Sequence, residues 1–140
     1  MMNTNDLQIL LNSDRSTEEL VKEAHEITYK AYMQYLMNKY DVQANTIVRL
    51  SGLAKRSAYK VINGENKKPS KDRIYRVALS IGVSVEECDI LFCLANAGGF
   101  FLQNPRDIIL ARGLIEKKNV IDVDIQLEAF GYKVLEGGIK

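Results

Sequence analysis

The sequence predicts an all-α protein on three observations. Seven stretches carry apolar residues at helical spacing, and nearly all are bounded by side-chain caps or stop glycines. No segment alternates apolar and polar residues with turn chemistry at its ends, as a strand would require. The apolar fraction of 46% and charged fraction of 26% are those of an ordinary globular chain, and 140 residues suffice for one core without staples.

The elements follow in order. Ser16 and Glu19 form a capping box, and no Gly or Pro interrupts the chain from Thr17 to about Tyr40, which predicts one long first helix. In it Leu20, Ala24, Ile27, Ala31 and Tyr35 share a face. A second helix starts near Gln43 or Ala44 and stops at Gly52, and a third runs from about Ala54 to Asn63, closed by Gly64. The stretch GENKKPS reads as an exposed loop. Ser70 caps a fourth helix that ends at Gly82, and the Ser84/Glu87 capping box opens a fifth, through about Asn96. Asn104-Pro105 with Asp107 starts a sixth, to about Lys117, and Asp122 is expected to cap a seventh, through Phe130. GFFLQNP and the terminal EGGIK are expected to be flexible.

No apolar run approaches the roughly 18 residues of a membrane span, and the N-terminus has no basic, apolar and small-residue succession of a secretion signal. No membrane partner is expected, and the expected location is cytoplasmic, on the nucleoid when bound to DNA. Cys88 and Cys93, five residues apart on one helix, point about 140° away from each other and read as small core residues rather than a disulfide. The only histidine, His25, lies far from them, so no zinc site is expected. Asp122 and Asp124 suggest a metal only weakly, since a cap role accounts for Asp122. There is no Ser-His-Asp or Cys-His arrangement and no phosphate-cradling glycine loop, so neither an enzyme nor a cofactor is expected. RNA binding stays open on charge alone, although the chain lacks the aromatic sheet motif of common RNA-binding modules.

Charge is concentrated. Lys55 to Arg76 holds eight bases (Lys55, Arg56, Lys60, Lys67, Lys68, Lys71, Arg73, Arg76) against Glu65 and Asp72, a net of +6, so the remainder of this +1 chain carries −5. Such a sided field suits a polyanionic partner.

Within VQANTIVRLSGLAKRSAYKVINGENKKPSKDRIYRVALSIGVSVEECDILF, Ile47-Val48, the turn Gly52 and Leu53, buried-type Ala58 and Val61, Asn63-Gly64, Pro69, and Leu79 with Gly82-Val83-Ser84 fall at fixed relative positions. In these the stretch resembles the lambda-repressor-like helix-turn-helix family, also called the xenobiotic-response-element type. One departure is Ile62, where the family usually has glutamate. The resemblance implies a five-helix bundle, here with a long N-terminal helix and a small C-terminal helical extension. The expected organisation is a flexible arm over residues 1–15, a DNA-binding domain over 16–96 and a helical extension over 97–140.

It also implies a sequence-specific regulator of transcription, acting as a repressor on double-stranded DNA. With Ala58 and Val61 buried, Lys55, Arg56, Tyr59 and Lys60 face outward, at the positions that the family uses for base and nearby phosphate contacts. Gln43 and Asn45, at the start of the second helix, and Lys67, Lys68 and Lys71, beside the groove, are the expected phosphate contacts. A homodimer is expected, because one such module reads only a few base pairs. Ile108, Ile109, Ala111, Leu114, Ile115, Ile125, Leu127 and Phe130 exceed what two docking helices need, so residues 105–135 are expected to make the dimer contact. The alternative is an antitoxin or adaptor whose C-terminal helices bind a partner protein while the same module represses its own operon.

Overall fold

The structure is a computed structural model that describes residues 16–18 and 27–138. Among them stand α1 (Tyr29–Lys39), α2 (Ala44–Ser51), α3 (Lys55–Asn63), α4 (Lys71–Ile81), α5 (Val85–Leu94), α6 (Pro105–Ile115) and α7 (Val120–Ala129), with no strand. None of the described helices is long and apolar enough to cross a membrane.

The uninterrupted first helix is corrected. Thr17 and Glu18 are helical, but Ile27 and Thr28 are not, and α1 starts afresh at Tyr29. Thr28 is extended, and its hydroxyl accepts the Ala31 N–H at 3.1 Å. A β-branched residue with a hydroxyl offers the backbone this alternative to continued helix, and the absence of Gly and Pro does not reveal it. Glu19, His25 and the arm over residues 1–15 lie outside the described residues.

The other helix starts and stops follow local chemistry. Ser70 accepts from Arg73 N, Ser84 and Glu87 make the reciprocal capping box, and Asn104 accepts from Arg106 N with Pro105 at the first position. At α7 the cap is Asn119, whose side chain accepts the Asp122 N–H at 2.8 Å; Asp122 sits in the first turn and is not the cap. Of the two cysteines expected in the core, Cys88 is buried and Cys93 is exposed, on the opposite side of α5.

Of the stretches expected to be flexible, the described residues are tied down at three points. Asp89 accepts the Phe100 N–H, Asp107 accepts that of Phe101, and Asp72 accepts that of Glu136. The aromatic edge of Phe100 also meets Phe92, with ring centroids 5.1 Å apart.

Central in the packing is α4, whose residues from Ile74 to Leu79 are all buried; it touches α2, α3, α5, α6 and α7. One hydrophobic cluster runs from Tyr32, Leu36 and Ile47 through Tyr75 and Leu91 to Leu110, Leu114 and Leu127. Residues beyond 97 therefore share a core with those before it. Polar ties reinforce the junction: Tyr75 Oη donates to Leu110 O at 2.7 Å, Lys71 pairs with Asp107 at 3.0 Å and Arg106 with Asp72 at 2.8 Å. Gly113 has to be glycine, since a Cβ there would lie 2.5 Å from Tyr75 Oη.

Candidate nucleic-acid interface

Helices α2 and α3 are joined by three residues, Gly52, Leu53 and Ala54. Gly52 adopts φ 72°, a left-handed conformation that lets the chain leave α2 abruptly, and a Cβ on it would lie 3.0 Å from Arg76 Nη1. Leu53 is buried behind the turn, and its N–H donates to Ser51 Oγ. Ile47 anchors α2 from within, and Val48 is half-buried.

The inner face of α3 is Ala58, Val61 and Ile62, all buried. A hydrocarbon side chain is thus accommodated in the core at Ile62, a position where the sequence departs from the pattern it resembles. The outer face carries Lys55 and Arg56, both exposed, and Tyr59 and Lys60, both partly exposed. Positions 55, 56, 59 and 60 share one side of a helix with 3.6 residues per turn. At the far end Gly64, φ 67°, closes α3 by donating to Lys60 O and Val61 O. The Tyr29 ring lies so close to it that a Cβ would stand 2.8 Å from Cδ1.

Two further features set this pair of helices apart. The N-caps of α1, α4, α5, α6 and α7 all accept a backbone N–H through a side chain, whereas Gln43 at α2 and Ala54 at α3 make no such bond. The first amides of α2 and α3 are left without a side-chain acceptor, a setting that favours an anion. Moreover, none of the ion pairs among the described residues involves Lys55, Arg56, Lys60, Lys67 or Lys68. Their charge is not neutralised by carboxylates of the described chain.

The other expected residues divide. Gln43, Asn45, Lys67 and Lys68 are exposed, at the start of α2 and on the loop after α3. Lys71 is corrected: its ammonium bonds both oxygens of Asp107 at 3.0 Å and the Gly99 carbonyl, over the rings of Phe92, Phe100 and Phe101. It is a tie between α4 and α6 and has no donor left for a phosphate. Arg76, counted in the basic stretch, is also turned inward. It donates to Ser51 O at 2.9 Å, Leu135 O at 2.9 Å and Glu136 O at 2.7 Å. Burial lowers its pKa, and Asp124, 3.7 Å away, opposes that shift.

Sequence reasoning missed two residues. Arg49 is exposed on α2, and lies just outside the stretch in which charge is concentrated. Arg76 positions the turn, through a contact 25 residues away that no local pattern signals. Among the described residues no group of three or more His, Cys, Asp or Glu is placed to hold a metal ion. Compared with protein-family models, curated proteins and solved structures, the chain matches none.

Proposed function

We propose that the chain is a sequence-specific, double-stranded DNA-binding regulator that represses transcription, with α2 and α3 acting as a helix-turn-helix of the lambda-repressor-like kind. The observation that carries this reading is the outer face of α3: two exposed bases, a third partly exposed, and a tyrosine between them, with no acid on the helix and no ion-pair partner among the described residues. A major groove about 12 Å wide admits one helix, and base edges are reached by outward side chains near its N-terminal end.

In this reading Arg56 is the fork that binds guanine O6 and N7, and Lys55 and Lys60 donate to bases or phosphates as flexible point charges. Tyr59 packs on a thymine methyl or reaches a phosphate. The open N-terminus of α2, flanked by Gln43 and Asn45, receives one backbone phosphate, and Lys67 and Lys68 grip the backbone beyond the groove. Arg49 is a further phosphate candidate. Lys71 drops out of the set, since its donors are engaged at Asp107 and Gly99.

Selection from a random duplex pool, followed by titration of the selected site at several salt concentrations, tests the proposal. Five or six neutralised phosphates per module give a slope of log affinity on log salt of about −5. Failure to retain any duplex, or affinity indifferent to salt, rejects it.

A further inference from the structure

A small cavity lies at the far end of α3. It measures about 210 Å³ and sits where the start of α1, the end of α3, the loop into α4 and the end of α5 meet. Its depth follows from burial. Lys67 and Asn96 are exposed and Lys60 is half-exposed, so they mark the mouth, whereas Val61 and Ile74 are buried and form the floor.

Two observations give the cavity a chemistry. Tyr29, which lines it, has a buried Oη with no hydrogen-bond partner among the described residues. Buried hydroxyls are nearly always bonded, so this one has a donor and lone pairs to offer. Burial pushes the Tyr29 phenol up, aided by Cys88, and it keeps its proton. At the mouth, Lys60 and Lys67 take part in none of the ion pairs among the described residues, so two cationic groups stand over a floor that ends in an unpaired hydroxyl.

We infer that the cavity binds a small organic anion, with its carboxylate at Lys60 and Lys67 and a second polar group at Tyr29 Oη, and that the bound anion competes with DNA for the two lysines. Sites for drug-sized ligands begin at about 300 Å³, so this occupant is smaller, with about ten non-hydrogen atoms. A compact apolar body between its two polar ends suits the walls of Val61, Pro69, Ile74 and Leu94. A cation would meet two ammonium groups, and a hydrocarbon would leave Oη unpaired. The site itself does not depend on the DNA-binding proposal; only the competition rests on it.

The probe is 4-hydroxybenzoate, which carries both polar groups; benzoate lacks the hydroxyl and 4-hydroxybenzyl alcohol lacks the charge. Amide shifts of the full chain are followed by nuclear magnetic resonance without DNA. The first probe is expected to move the amides of Gly64, Asn66 and Asn96 and to saturate at about millimolar concentration or below. Benzoate should bind about fivefold more weakly or worse, and the alcohol not measurably. Tyr29→Phe should abolish the difference between the two acids, with a melting temperature unchanged or raised, since the hydroxyl it removes has no partner. Lys60→Gln and Lys67→Gln should each weaken both acids.

An absence of saturable shifts around the cavity overturns the site, as does an alcohol that binds as tightly as the acid. Equal affinity for the two acids in the parent chain removes Tyr29 from it. The competition is read separately: at constant ionic strength, saturating 4-hydroxybenzoate should weaken the selected duplex about tenfold. Duplex affinity indifferent to the saturated cavity overturns the competition, whereas failure to retain any duplex while the cavity shifts persist overturns the DNA reading and not the site.

Discussion

Helices α3 and α6 are similar in length, 9 and 11 residues, and both bury an apolar inner face, yet they offer solvent opposite chemistry. The outer side of α3 is cationic, without an acid, and its N-terminus has no side-chain cap. The outer side of α6 interleaves isoleucine with one Arg–Glu pair, and its N-terminus is closed by Asn104 and Pro105. Burial alone explains neither pattern, since a solvated face of either helix would mix both signs of charge with few large apolar groups. The difference is one of surface chemistry: unmatched positive charge suits a polyanion, and paired charge around exposed apolar groups suits a less polar surface.

The largest expected effect tests whether the two faces are mechanically separable. Arg76 touches the carbonyl that ends α2 and the Leu135 and Glu136 carbonyls in the segment after α7, so Arg76→Ala leaves buried acceptors and Asp124 without their partner. A loss of about 3 to 5 kcal/mol of stability is expected in urea unfolding, because removing one member of a buried charged network strands the others. A loss below about 1 kcal/mol would mean that the tail and the turn are independent.

A smaller effect, confined to the α3 face, separates reading from gripping. Arg56→Ala is expected to cost about 1 to 3 kcal/mol on the selected duplex and to relax base preference at one position. Lys68→Ala should weaken all sequences alike and reduce the salt slope by about 1. Melting temperatures of both should match the parent chain, as neither side chain has a partner among the described ion pairs. Unchanged base preference in Arg56→Ala would remove α3 from the groove.

The smallest effect belongs to neither face and calibrates the comparison. Burial raises the pKa of Glu87, but hydrogen bonds from Lys39, the Ser84 amide and Tyr40 outweigh it and hold the carboxyl at about 2, against an ordinary 4.5. A carboxyl depressed on folding contributes stability that is fully present above the unfolded value and is lost as pH falls through the folded one. Thermal stability should therefore decline from about pH 4.5 to pH 2, and Glu87→Gln should flatten that decline. An unaltered profile in the variant would show that other carboxylates carry the acid sensitivity; Asp72 is one, since Arg106 and the Glu136 amide outweigh the effect of its burial.

How much of this was legible in the sequence depends on how far apart the interacting residues lie. The stops of α2, α3 and α4 and the starts of α4, α5 and α6 could be read because each is decided within four residues, by Gly52, Gly64, Gly82, Ser70, Ser84 and Asn104. The break before α1 was missed although it too is local: Thr28 competes for the backbone without the signature of Gly or Pro. On α3 the inner and outer faces followed from helical spacing, and the exposed positions of Lys55 and Arg56 agree with it.

The fates of Lys71 and Arg76 were not legible, because their partners Asp107 and Leu135 lie 36 and 59 positions away and nothing local distinguishes them from Lys67 or Lys68. The apolar surplus near the C-terminus was read correctly as a surplus but only in part as a surface. Ile109, Leu114 and Leu127 are buried in the common core, while Ile108, Ile115, Ile125 and Phe130 are exposed. Because that core and the ties of Tyr75 and Lys71 span both stretches, a chain ending near Asn104 is expected to unfold rather than persist as a separate bundle.

Arg76 also sets an order of events during synthesis. Its bond to Ser51 O can form early, but the acceptor at Leu135 is made 59 residues later, about 3 to 12 s at ordinary elongation rates. Until then the guanidinium faces a gap that water must fill, and the turn between α2 and α3 is held from one side only. A nascent or prematurely terminated chain would thus carry the cationic helix before its support, so a ribosome that stalls or drops off releases a product with a loose turn, open to proteases.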